Sequence, residues 1–132
     1  EHALAELAPY LPAMKPAWTQ AAPLPGGDLP GRDRNAWFAE LCRRYPQLPA
    51  PLLRAIGTRH GTRAIAVLGD AKTPADLGRD FGAHLTAREV DYLVAEEWAR
   101  TADDVLWRRT KCGLPMSPAQ RDAVAGYMAG RA

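Results

Sequence analysis

The chain has 132 residues, 47% of them hydrophobic and 24% charged, with a net charge of +2 and two cysteines. That is the size of one domain, with enough apolar material for a core that needs neither disulfides nor a metal. No run approaches the roughly 18 apolar residues of a membrane helix, no charged-then-apolar leader opens the chain, and the charge is too small to argue for nucleic acid or an acidic membrane surface.

Glu1 stands where a Met would and already lies inside a helical pattern, so the natural chain is expected to begin earlier. Leu4, Leu7 and Leu11 recur at helical spacing, and Pro12 closes that pattern. Residues 13–31 differ in kind. Pro16, Pro23, Pro25 and Pro30 alternate with Gly26, Gly27 and Gly31. Proline fixes φ and removes a donor, so the segment reads as an extended linker ending in a turn. The expected division is therefore 1–31 as the end of a preceding domain plus linker, and 32–132 as a helical domain. Residues 1–31 are expected to pack poorly, because their neighbours lie elsewhere.

From Asp33 the chain reads as helix after helix. Asp33 caps a stripe of Trp37, Phe38, Leu41, Cys42 and Tyr45, which Pro46 and Pro49 break. Short helices follow around Leu52, Leu53 and Ile56, then around Ala64, Ile65 and Leu68, each stopped by glycine. Thr73-Pro74 suits the start of a helical turn. Thr86 with Glu89 forms a capping box opening a helix through Val90, Leu93, Val94 and Trp98. Thr101 with Asp104 repeats the spacing before Val105, Leu106 and Trp107. Ser117 with Gln120 is a third box, ahead of Val124, Tyr127 and Met128. No period-2 segment stands out. The expected fold is all-α, a compact bundle of about five to seven short helices behind an extended Pro/Gly-rich segment.

Catalytic chemistry is thin. Ser117 is the sole serine, and a helix cap explains it. His2, His60 and His84 are scattered, without a carboxylate or cysteine at ligand spacing, and are expected at the surface or at caps. Cys42 and Cys112 read as reduced thiols of a cytosolic protein. Neither a dinucleotide glycine fingerprint nor a P-loop occurs. Asp103 and Asp104 point about 100° apart on a helix and do not face one substrate. One constellation is odd: the stripes of two consecutive helices continue to Glu97 and to Arg109. A lone buried charge costs several kcal/mol, so Glu96 or Glu97 is expected to pair with Arg108 or Arg109, as scaffolding.

The block Asp91-Tyr92-Leu93-Val94-Ala95-Glu96-Glu97-Trp98-Ala99-Arg100-Thr101-Ala102-Asp103-Asp104-Val105-Leu106-Trp107-Arg108-Arg109-Thr110-Lys111 resembles the C-terminal signature of bacterial aerobic glycerol-3-phosphate dehydrogenases. His60-Gly61-Thr62-Arg63 resembles that family's Tyr-Gly-(Thr/Ser)-Arg turn, with His in the Tyr place. Asp76-Leu77-Gly78, Phe81-Gly82 and Pro23-Leu24-Pro25-Gly26-Gly27-Asp28 are similar to it as well, so the resemblance covers nearly the whole chain. It implies a parent that binds FAD in an N-terminal domain and oxidises sn-glycerol 3-phosphate to dihydroxyacetone phosphate. Electrons would pass to membrane quinone at the cytoplasmic face of the inner membrane. It implies no catalytic, cofactor-binding or metal-binding residue on this chain. The implied partners are the N-terminal FAD domain of the same chain and, through it, quinone, without nucleic acid; a homo-oligomer stays open.

Two other readings compete. Residues 51–68 can be drawn as two short helices around a glycine turn, a nucleic-acid layout in which Arg54, Arg59, His60 and Arg63 would face phosphates. Trp18 and Trp37 could instead form an exposed patch of a protein-interaction domain.

Overall fold

A computed structural model of the chain describes residues 2–130. The elements run α1 (His2–Leu7), α2 (Arg34–Arg44), α3 (Ala50–His60), α4 (Ala64–Leu68), α5 (Ala87–Glu96), a π-helix (Asp104–Arg109) and α6 (Pro118–Ala129), with single 3-10 turns between several of them. Among the described residues there is no strand, only an isolated bridge between Asp80 and Thr86. The fold is all-α, as the helical periodicity predicts.

The helices start where short polar side chains can satisfy their free N–H groups. Asp33 accepts from the Asn35 and Ala36 amides, at 2.8 and 3.2 Å. Thr86 accepts from Glu89 N at 3.3 Å. Ser117 and Gln120 close a full reciprocal box at the head of α6. Thr73 and Asp76 do the same for the 3-10 turn Pro74–Leu77. Thr101 and Asp104 satisfy each other's amides before the π-helix. Pro46 and Pro49 lie between α2 and α3, where a residue without an N–H interrupts no helical ladder.

Neighbours in sequence are neighbours in space: α2 packs on α3, α3 on α4, and α4 on α5. Their inner faces meet in one core, in which Leu41, Leu53, Ile56, Leu68, Leu77, Leu85 and Leu93 are fully buried with Val67, Val90, Val105 and Val124. Each such side chain contributes about 1.5–3 kcal/mol by leaving water. α6 closes the bundle through Val124, through a Phe81–Tyr127 ring contact at 5.3 Å and through the Tyr127 hydroxyl on Asp91 Oδ1 at 2.9 Å.

The segment before Asp33 divides in two. Leu4, Leu7, Tyr10, Leu11, Met14, Trp18 and Leu24 are all exposed, and nothing on α1 is buried. Residues 25–29 behave otherwise, against the expectation that all of 1–31 packs poorly. Gly26 accepts from the Thr62 amide at 3.0 Å, Asp28 accepts from the Thr62 hydroxyl, and Leu29 packs on the core. The two backbones touch at Gly26 and Gly61, where no side chain fits. An ideal Cβ on Gly61 would stand 1.9 Å from the Gly26 carbonyl oxygen.

Three further expectations change. Trp37 is 6% exposed and belongs to the core, so it is not part of a surface patch, while Trp18 is 67% exposed. His60 is 8% exposed rather than a surface histidine. The segment after Thr101 is a π-helix rather than an α-helix, because Thr110 donates both its amide (3.1 Å) and its hydroxyl (2.7 Å) to the Val105 carbonyl five residues back.

Candidate functional site

Among the described residues, the charged side chain with no exposure at all is Glu89. It sits on the first turn of α5, and its carboxylate points across to the last turn of α3. Arg59 Nε donates to Glu89 Oε1 at 2.7 Å and Arg59 Nη2 to Oε2 at 2.6 Å, a bidentate fork. His60 Nε2 lies 2.8 Å from Oε1 and donates to it, since an ionised carboxylate only accepts. Arg59 Nη2 also reaches the His84 carbonyl at 3.0 Å. Burial alone would raise the Glu89 pKa. The hydrogen bonds from His60 and Arg59, and the guanidinium charge, outweigh it and hold the carboxyl below the usual range. Arg59 is likewise opposed by burial, yet the bond to Glu89 leaves its pKa raised.

A second layer orients the first. The Tyr92 ring stands edge-on to the His60 ring at 5.4 Å. Arg63 Nη1 donates to the Tyr92 hydroxyl at 3.2 Å. Glu97 Oε1 is 3.8 Å from His60 Nδ1. His60, Arg63 and Glu97 border a small cleft of about 270 Å³, whose lining Pro25, Arg59 and Glu96 complete.

The carboxylates and guanidiniums singled out by sequence do not pair with each other. Arg108 donates to Asp104 Oδ1 at 2.8 Å, four residues back on its own helix. Arg109 Nε donates to the backbone carbonyl of Glu97, not to its carboxylate, at 3.0 Å. Glu97 turns to His60, and Glu96 lines the cleft. The correction has a local cause: α5 ends at Glu96, Glu97 has φ −120°, and Trp98 takes φ +57°, so the stripe does not run on to Glu97. Trp98 is 81% exposed in this left-handed conformation, which disfavours a bulky side chain.

The charged centre that sequence missed is Glu89. Its N3 position in a capping box accounts for it locally, but Glu89, Tyr92 and Leu93 also share one face of α5, and that face is buried. Chemically the cluster lacks a nucleophile. The Ser117 hydroxyl caps α6, and the Thr62 hydroxyl is engaged by Asp28. Burial pushes the Cys112 thiol up, with Arg59 opposing. No group of three or more metal-ligating side chains converges among the described residues. What the arrangement does is clamp α3 to α5 with a bidentate ion pair. Arg59 and His60, which the nucleic-acid reading needed on the surface, are turned inward to make it.

Residues 17–130 match the family model described as the C-terminal domain of alpha-glycerophosphate oxidase. The chain belongs to this family. Within the glycerophosphate oxidase C-terminal domain family, it is 44% identical over 97% of its length to the aerobic glycerol-3-phosphate dehydrogenase of Escherichia coli, covering 25% of that protein. It is 42% identical to a glycerol-3-phosphate dehydrogenase of Pseudomonas aeruginosa, over the same shares of the two chains. It is 40% identical over 93% of its length to the D-erythritol 1-phosphate dehydrogenase of Brucella abortus, covering 24% of that protein. The chain thus spans about a quarter of the length of the curated relatives it matches. Among the described residues no helix is long and apolar enough to cross a membrane.

Proposed function

We propose that this chain is the non-catalytic helical C-terminal part of a flavoenzyme that oxidises sn-glycerol 3-phosphate to dihydroxyacetone phosphate. The substrate alcohol gives up two electrons and two protons. FAD, held in the N-terminal part of the same chain, would take up the electrons with the protons and hand both on to membrane quinone. The parent works at the cytoplasmic face of the inner membrane, without crossing it through this part. The residues described here do not fit a dinucleotide, having no strand-turn-helix with a glycine cradle, so no step of the reaction is routed through them.

The observation that carries this reading is the even likeness to relatives with different named substrates. Identity is 44% to a glycerol-3-phosphate dehydrogenase and 40% to an erythritol 1-phosphate dehydrogenase. A region that read the substrate would be expected to part company with one of them. The closed Glu89 cluster supports the same view, since its polar groups are spent on one another. The exposed apolar side chains of residues 4–24 then face the remainder of the parent.

The test is a chimera joining this chain to the N-terminal three-quarters of the erythritol 1-phosphate enzyme. The hybrid is expected to keep its preference for erythritol 1-phosphate in kcat/KM. A preference shifted toward glycerol 3-phosphate would place substrate recognition here and defeat the proposal.

A further inference from the structure

A second cleft adjoins the small one and shares Pro25, Arg59 and His60 with it. It encloses about 570 Å³ between residues 25–29 and the facing sides of α2 and α3. That is within the usual size of a small-molecule site, roughly 300–1,000 Å³. Pro25, Gly26 and Leu29 form one wall, and Trp37, Phe38 and Leu41 form the apolar floor. No Asp or Glu lines it, while Arg34, Arg54, Arg59 and His60 do.

Arg59 and His60 are already committed to Glu89. Arg34 and Arg54 are in no ion pair among the described residues. Arg34 occupies the first position of α2, where the helix dipole disfavours a cation. Asp33, its sequence neighbour, is spent on capping amides. Arg54 stacks on Phe38 with its guanidinium carbon 3.9 Å from the ring centroid, which leaves the guanidinium edges for an acceptor. Trp37, in the floor, carries a buried indole Nε1 with no hydrogen-bond partner, against the general rule that buried donors are satisfied. Gly57 of α3 lies beside that nitrogen: an ideal Cβ there would stand 3.8 Å from Nε1 and 2.7 Å from Leu41 Cδ1, so the missing side chain lets α2 and α3 pack closely.

We infer that this cleft binds a small organic oxyanion, a phosphate or carboxylate carried on a compact apolar body. The anionic group is held by Arg34 and Arg54, and the body rests on Trp37 and Leu29. Residues 25–29 act as the strap over it, fastened by the Gly26–Thr62 hydrogen bond.

The test is NMR titration of the 132-residue chain with phenyl phosphate, benzoate, inorganic phosphate and phenol, following the Trp37 indole N–H, assigned by its loss in Trp37→Phe. Phenyl phosphate or benzoate is expected to shift that resonance saturably, and phenol much more weakly. Which of the two binds tighter separates a phosphate site from a carboxylate site. Arg34→Gln and Arg54→Gln, both on exposed side chains, are each expected to weaken binding at least tenfold, and Arg43→Gln, outside the cleft, to leave it unchanged. Absence of any saturable shift, equal binding of phenol, or unchanged affinity in both arginine variants would overturn the inference. Retained amide dispersion in the variants shows that lost binding is not lost folding.

Discussion

Replacing Glu89 with Gln is expected to remove about 3–5 kcal/mol of folding stability, because it strips the partner from a buried guanidinium. Total stabilities of domains run to about 5–15 kcal/mol, so the variant should show a large fall in the urea midpoint, or unfold outright at elevated temperature. Glu97→Gln, whose carboxylate is partly exposed and 3.8 Å from His60, should change the midpoint little. The effect also carries a pH signature. The Glu89 carboxyl is held below its ordinary value in the folded chain. An unfolded Glu titrates near 4.3. The pair's contribution is therefore complete above about pH 4.3 and is lost as pH falls through the depressed native value. Wild-type stability should drop steeply on that acid side, and Glu89→Gln should lose this component of the slope. Parallel acid profiles in the two chains would show that Glu89 does not titrate as described.

The second large effect belongs to a glycine. Gly61→Ala is expected to cost about 2–3 kcal/mol. Gly61 ends α3 at φ +56° and ψ −133°, a conformation closed to residues with a side chain. The added methyl would also meet the Gly26 carbonyl, oxygen at 1.9 Å and carbon at 2.8 Å. Backbone has to move, and the movement frees the 25–29 strap. Limited proteolysis should therefore cut near residues 25–29 faster in the variant. Gly126→Ala serves as the contrast. It lies inside α6 with nothing within 4 Å of the new carbon, and should stabilise the chain by roughly 0.5–1 kcal/mol.

How far the sequence foretells this structure depends on how local each signal is. Caps at Asp33, Thr86, Thr101 and Ser117 involve groups two to four residues apart, and the structure has side-chain hydrogen bonds at all four. Proline breaks and apolar stripes are equally local, and they give the all-α class. Glu89 shows where that reasoning ends. Locally it looks like the acid of a capping box, but its partners Arg59 and His60 lie 30 and 29 residues away. Only the packing of α3 against α5 brings them together, and a charged partner at bonding distance outcompetes a backbone amide. The Glu96, Glu97, Arg108 and Arg109 expectation fails for a related reason. It extends an ideal helix past Glu96, whereas the backbone turns there, and Arg108 finds a carboxylate on its own helix first. The π-turn had no sequence signal beyond Thr110, whose hydroxyl and amide share one acceptor. The docking of Gly26 on Gly61 was hidden because both glycines read simply as breakers.

The central claim is that this chain supplies helical scaffold while redox chemistry resides in the rest of its parent. Its most direct test is the absorption spectrum and dye-reductase activity of the purified 132-residue chain, with and without added FAD and glycerol 3-phosphate. The account predicts a colourless protein that retains no flavin after gel filtration and reduces no dye. A bound yellow chromophore that glycerol 3-phosphate bleaches would contradict it.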